Sequence, residues 1–121
     1  MGEETSISIR EVVDALHARS LEGFKRRDAI AATAGYTEDA VFLAAGSEPV
    51  RGRAAIAAGL ASLWESGFVE KGLTTLSAEA DGNLGYAIEA VETSAGSGFT
   101  LLVLRRDWGK WRICAEAFIA K

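Results

Sequence analysis

Apolar residues at Ile9, Val12, Val13, Leu16 and Phe24 recur at helical spacing, while Arg10, Asp14, Arg19 and Lys25 fall off the stripe. That pattern predicts an amphipathic helix over about residues 8–26. Ser8 and Glu11 form a capping box, in which each side chain satisfies a backbone N–H that the first turn leaves unpaired. Asp28 is placed to cap a short second helix over 29–34, and Gly35 is expected to end it at positive φ. Val41-Phe42 within 40–45 predicts a short strand that stops at the turn Gly46-Ser47-Glu48-Pro49. Ile56, Leu60, Leu63 and Trp64 fall at i, i+4, i+7 and i+8, giving a third helix over 53–66 with Gly67 as its C-terminal cap. Beyond Phe68, turn signals at Asp81-Gly82-Asn83, Ala95-Gly96-Ser97-Gly98 and Asp107-Trp108-Gly109-Lys110 separate strand-forming runs. These predict four antiparallel strands over 70–80, 84–94, 98–106 and 110–119. Helices followed by sheet make the chain α+β, and with neither repeat nor linker it reads as one domain, 1–121.

Strict alternation along the last strand puts Trp111, Ile113, Ala115, Ala117 and Ile119 on one face. Arg112, Cys114, Glu116 and Phe118 then share the other. The preceding run Leu101-Leu102-Val103-Leu104 is apolar on both faces, so both sides of the sheet are expected to avoid water. Three helices cover only one face. The other is expected to pack against a second copy of the chain, a homodimer through Trp111, Ile113, Ala115, Ala117 and Ile119.

Composition narrows the partners. With 17 acidic against 13 basic residues the net charge is −4, and no basic run exceeds Lys25-Arg26-Arg27, which argues against nucleic acid and anionic membrane. No stretch approaches the length of a spanning helix, and the start, Met1-Gly2-Glu3-Glu4, does not resemble a leader, so a cytoplasmic location is expected. Met1-Gly2 with Ser6 formally fits an acylation pattern, with a frayed terminus as the plainer reading. One cysteine, Cys114, forms no intrachain disulfide, and one histidine, His17, excludes sites that need two. No metal and no cofactor are expected.

Tyr36-Thr37-Glu38-Asp39-Ala40, leading to Pro49-Val50-Arg51-Gly52-Arg53-Ala54-Ala55-Ile56, resembles the strand entry and third-helix start of the nuclear transport factor 2-like superfamily. Gly109-Lys110-Trp111-Arg112-Ile113 resembles its final hairpin, and the likeness runs almost end to end. That superfamily includes ketosteroid isomerases and SnoaL-like polyketide cyclases. The resemblance implies a cone of three helices on a curved, mainly antiparallel sheet, a pocket between them, and dimers through the sheet. It also tests the isomerase branch, in which an Asp base works with a Tyr and a protonated Asp that hold the oxyanion. The matching positions here are Ser20, Ala44 and Leu102, so that set of groups is missing and ketosteroid isomerisation is not expected. The uncharacterised SnoaL-like proteins are the nearer resemblance.

Glu116 is the candidate catalytic group, because alternation places it with Cys114 and Phe118 on the pocket face, where desolvation raises a carboxyl pKa. The competing reading pairs it with Arg112 or Arg105. Phe42, Leu60, Trp64, Leu102 and Phe118 fit an apolar lining or plain core, with Ser20, Tyr36 and Cys114 as further ligand contacts. In the strand over 84–94, Tyr86 is placed inward with Ile88, leaving Glu89 on the opposite face with Ala87 and Val91. His17 reads as a partly exposed helix histidine without a partner. The expected function is a small-molecule pocket. The alternatives are an acid/base enzyme of isomerase, cyclase or dehydratase type using Glu116, and an association module without a ligand.

Overall fold

The computed structural model describes residues 8–121, and the acylation pattern at Met1, Gly2 and Ser6 lies outside them. The elements run α1 (Ile9–Arg26), α2 (Ala29–Ala32), β1 (Tyr36–Ala44), β2 (Val50–Arg51), α3 (Arg53–Glu65), β3 (Glu70–Asp81), β4 (Leu84–Thr93), β5 (Gly96–Asp107) and β6 (Lys110–Ala120). Three helices pack on one unclosed, curved sheet of six strands in the order β2-β1-β6-β5-β4-β3. All pairs are antiparallel except β1 with β6. None of the described helices is long and apolar enough to cross a membrane.

Ser8 and Glu11 make the capping box at the start of α1, and Asp28 caps α2 through the Ala31 N–H. The left-handed residue between these helices is Arg27, at φ 54°, and not Gly35. Gly35 is small for another reason: a Cβ there would lie 3.0 Å from Leu16 Cδ2. Gly23 lets α1 and α2 touch, since a Cβ there would meet the Ala32 backbone nitrogen at 2.3 Å.

β1 begins at Tyr36, earlier than the apolar pattern indicates, because Tyr36 pairs with Ile113 of β6 before the register jumps to Val41 opposite Ala115. β6 itself is irregular. Leu104 pairs with Ile113 but Val103 with Ala115, so the extra residue Cys114 forms a bulge and reverses the alternation. Strict alternation therefore fails for Trp111 and Ile113. Ile113 is in the core with Val13, Ala87, Leu102 and Leu104, and Trp111 packs against it. Only Ala115, Ala117 and Ile119 of that expected outer set remain outside.

The registers arrange the inner face in rows across the sheet. One row runs Ala78, Ala87, Leu102, Glu116, Phe42, and the next runs Thr75, Glu89, Thr100, Phe118, Ala44. A third runs Ala80, Gly85, Leu104, Ile113, Tyr36. Helix α1 lies against the β3–β4 side of these rows and α3 against β1.

Candidate functional site

Two polar couples sit on this largely apolar inner face. In the first, the Tyr36 hydroxyl donates to Glu116 Oε1. Tyr36 is held at the start of β1, where Arg53 Nη1 donates to its carbonyl at 3.1 Å. Burial lifts Glu116 to about 7, with Glu89 and Glu70 adding to the rise and the Tyr36 hydrogen bond opposing it. Tyr36 is raised well above its ordinary 10, first by burial and then by the charge of Glu116. Glu116 thus forms its closest contact with a phenol and with neither Arg112 nor Arg105.

In the second couple, His17 Nε2 contacts Glu89 Oε2, and Thr100 Oγ1 donates to Glu89 Oε1 at 2.5 Å. The Glu89 side chain is 1% exposed and that of His17 25%. Burial alone would lower the histidine, but the hydrogen bond and charge of Glu89, helped by Glu116 and Glu70, raise it above 6.5. Glu70 on β3 is also raised, chiefly by burial, with Glu89 adding and His17 opposing. From two strand spacings and two residues of rise, Glu116 and Glu89 stand roughly 12 Å apart at Cα. Both side chains project to the same side.

The sequence-predicted residues divide cleanly. Tyr36, Phe42, Leu102, Glu116 and Phe118 come together, and Gly98 gives the Phe118 ring room, since a Cβ there would approach it within 2.9 Å. Phe42, Glu116 and Phe118 stay half-buried, whereas Leu102 is sealed. Ser20 points elsewhere, its hydroxyl donating to the Ala32 carbonyl at 3.0 Å to tie α1 to α2. Trp64 is committed to the helix layer, edge-on to Phe24 at 5.4 Å and beneath the Arg27 guanidinium, and Leu60 lies half-buried one turn before it on α3.

Tyr86 faces outward at 38% exposure, because the close approach of α1 admits the small Ala87 and the paired Glu89 in its place. Cys114, on the outer side of its bulge, has a thiol raised by burial and influenced by Arg105, Asp39 and Asp107. That end of the outer face opens into a charged depression of about 520 Å³. Its arginines are largely paired, Arg105 with Asp107 at 2.8 Å and Asp39 at 3.3 Å, and Arg53 with Glu38 at 3.6 Å.

His17 and Glu89 form a polar couple that the strand pattern missed. Glu89 between Ala87 and Val91 was the available signal: a lone carboxylate on an apolar strand face needs a partner, and His17 follows the buried Val13 by one helical turn. Among the described residues, no three His, Cys, Asp or Glu side chains are placed to hold a metal ion. The arrangement can hold and move protons at two points.

A family model for SnoaL-like domains matches residues 17–113. Among curated proteins, none matches the chain in sequence. A domain of unknown function with a cystatin-like fold from Nostoc punctiforme is similar in structure, with a TM-score of 0.80 at 15% identity over 93% of this chain and 76% of that one. An NTF2-like protein of unknown function from Pseudomonas putida has a TM-score of 0.74 at 22% identity over 97% of this chain and 88% of its own. A ketosteroid isomerase-like protein from Erwinia carotovora has a TM-score of 0.64 at 21% identity over 91% and 95%.

Proposed function

The chain belongs to the SnoaL-like domain family and has the nuclear transport factor 2-like fold, and on that premise we propose that it is a small-molecule acid/base enzyme. The ligand is small and largely apolar, lies between α1 and the inner face of the sheet, and exchanges a proton with Glu116. The observation that carries this reading is the carboxyl of Glu116 at about 7, hydrogen-bonded by Tyr36 among Phe42, Leu102 and Phe118. A carboxyl poised near neutral pH accepts and returns protons where an ordinary glutamate is fully ionised. Half-burial of Phe42, Glu116 and Phe118 supports a space beside them.

Native mass spectrometry of freshly purified protein, followed by assay of any retained molecule, tests the reading. Glu116→Gln is expected to bind that molecule and to slow its turnover at least a hundredfold. Parent-level turnover in the variant would remove Glu116 from the mechanism.

We also propose that the chain forms a homodimer through the outer sheet face. Support comes from the exposed apolar side chains Leu43, Tyr86, Ile88, Leu101 and Ile119, which lie on the side of the sheet away from the helices.

A further inference from the structure

We propose that His17 is a second proton-transfer group of the cone, with Glu89 and Thr100 as its positioning residues. This rests on the reading in which the cone takes up a small, largely apolar molecule beside Glu116, and it adds that the molecule bears a carbonyl. Thr100 fixes one oxygen of the buried Glu89 carboxylate, the other meets His17 Nε2, and Nδ1 has no hydrogen-bond partner among the described residues. A carboxylate that holds one imidazole nitrogen sets the ring's tautomer and frees the other nitrogen to give or take a proton. As a structural clamp the arrangement is poor. A buried ion pair contributes little to stability compared with well-packed apolar residues, and α1 already docks through Ile9, Val13 and Leu16.

The groups facing His17 are Glu89 on β4, Glu70 on β3, and Glu116 on β6. Arg10, on the same helix, spends its guanidinium on the Thr75 carbonyl of β3. Acidic neighbours favour the imidazolium, so His17 is the acid and Glu116, ionised, the base. In the step, the Glu116 carboxylate takes a proton from a carbon next to the ligand carbonyl. The C–H electron pair becomes the C=C bond of an enol, the C=O π bond breaks with its pair moving onto oxygen, and that oxygen takes the Nδ1 proton of His17. Glu116 is left protonated and His17 neutral, with its remaining proton on Nε2 toward Glu89. Solvent exchange restores both, and no redox partner is needed.

His17 is the chain's only histidine, so its ring resonances are unambiguous in long-range proton–nitrogen NMR of the free protein. The expected neutral ring carries its proton on Nε2, and Glu89→Gln is expected to lower the titration midpoint and mix the tautomers. A parent ring protonated on Nδ1, or a titration unchanged by Glu89→Gln, overturns the assignment. Hydrogen–deuterium exchange at the α-carbons of cyclohexanone and 1-indanone in heavy water supplies the second arm. His17→Gln is expected to slow exchange at least tenfold and to remove one limb of the pH profile, and Thr100→Val to slow it a few-fold and displace that limb. Parent-like exchange in a folded His17→Gln, with Glu116→Gln inactive, overturns the role of His17 and leaves the Glu116 reading standing. A parent no faster than buffer overturns both.

Discussion

At the scale of the residue, the ionisation of a single carboxyl, Glu116, couples to folding. Burial raises Glu116 from 4.5 to about 7, so the native chain holds a proton that the unfolded chain has already released. The resulting stability is fully present below about pH 4.5 and is lost as pH rises through about 7, up to about 3 kcal/mol for such a shift. His17 acts in the same direction, since its folded value is raised and its contribution fades as pH climbs above 6.5. Glutamine is neutral at every pH and still accepts from Tyr36. Urea denaturation is therefore expected to find Glu116→Gln more stable than the parent at pH 8.5 and no more stable at pH 5. Equal stability differences at both values would show that Glu116 ionises normally. Tyr36→Phe removes the hydrogen bond that holds Glu116 down, so the Glu116 carboxyl is expected to titrate above 7 in carbon-13 NMR. Glu116 was legible in the sequence because its side of the bulge keeps parity with Phe118. His17 was not, because its partner is brought in from β4, 72 residues along the chain, and no local periodicity encodes that contact.

Elements were legible where local chemistry fixes them and illegible where long-range pairing does. The capping box, the Asp28 cap and the hairpin turns involve neighbours in sequence, and they fall close to where the residue pattern places them. The β6 bulge does not, because the mismatch of Leu104 with Ile113 against Val103 with Ala115 exists only once β5 is alongside. One extra residue moved Trp111 and Ile113 from one face to the other, since side chains alternate with a period of two. The α1–α2 corner offers a test at this scale. Gly23 lies against the Ala32 backbone, which cannot swing aside as a side chain could. Gly23→Val adds β-branching in a helix as well as the clash, and overpacking of this kind costs about 1–3 kcal/mol or more. Thermal denaturation is expected to show that loss, whereas Gly59→Ala, with open space at its Cβ, is expected to hold or gain stability. A Gly23→Val variant melting with the parent would mean that α2 docks less closely.

The whole molecule is a sheet with two differently used faces. The inner face carries the helices and the two polar couples. The outer face presents the row Ile88, Leu101, Ala117, Leu43 beside the row Tyr86, Val103, Ala115, Val41. Leu43 is 46% exposed and Tyr86 38%, so these rows meet solvent in an isolated chain. A contiguous apolar surface of this kind is more stable covered, and a two-fold axis through it would set each row against its own copy. Lysines at Ile88 and Leu101 would then face their symmetry mates, adding like-charge repulsion to lost apolar burial. Sedimentation velocity at micromolar concentration is expected to show a dimer for the parent and a monomer for the Ile88→Lys, Leu101→Lys double variant. A monomeric parent would remove the proposal. Because Ile88 alternates with Ala87 and Glu89, and Leu101 with Thr100 and Leu102, the substituted side chains point away from the cone. The monomeric variant is thus expected to keep the parent's fall in stability through pH 7. Losing both properties together would mean that the outer contact also shapes the inner face.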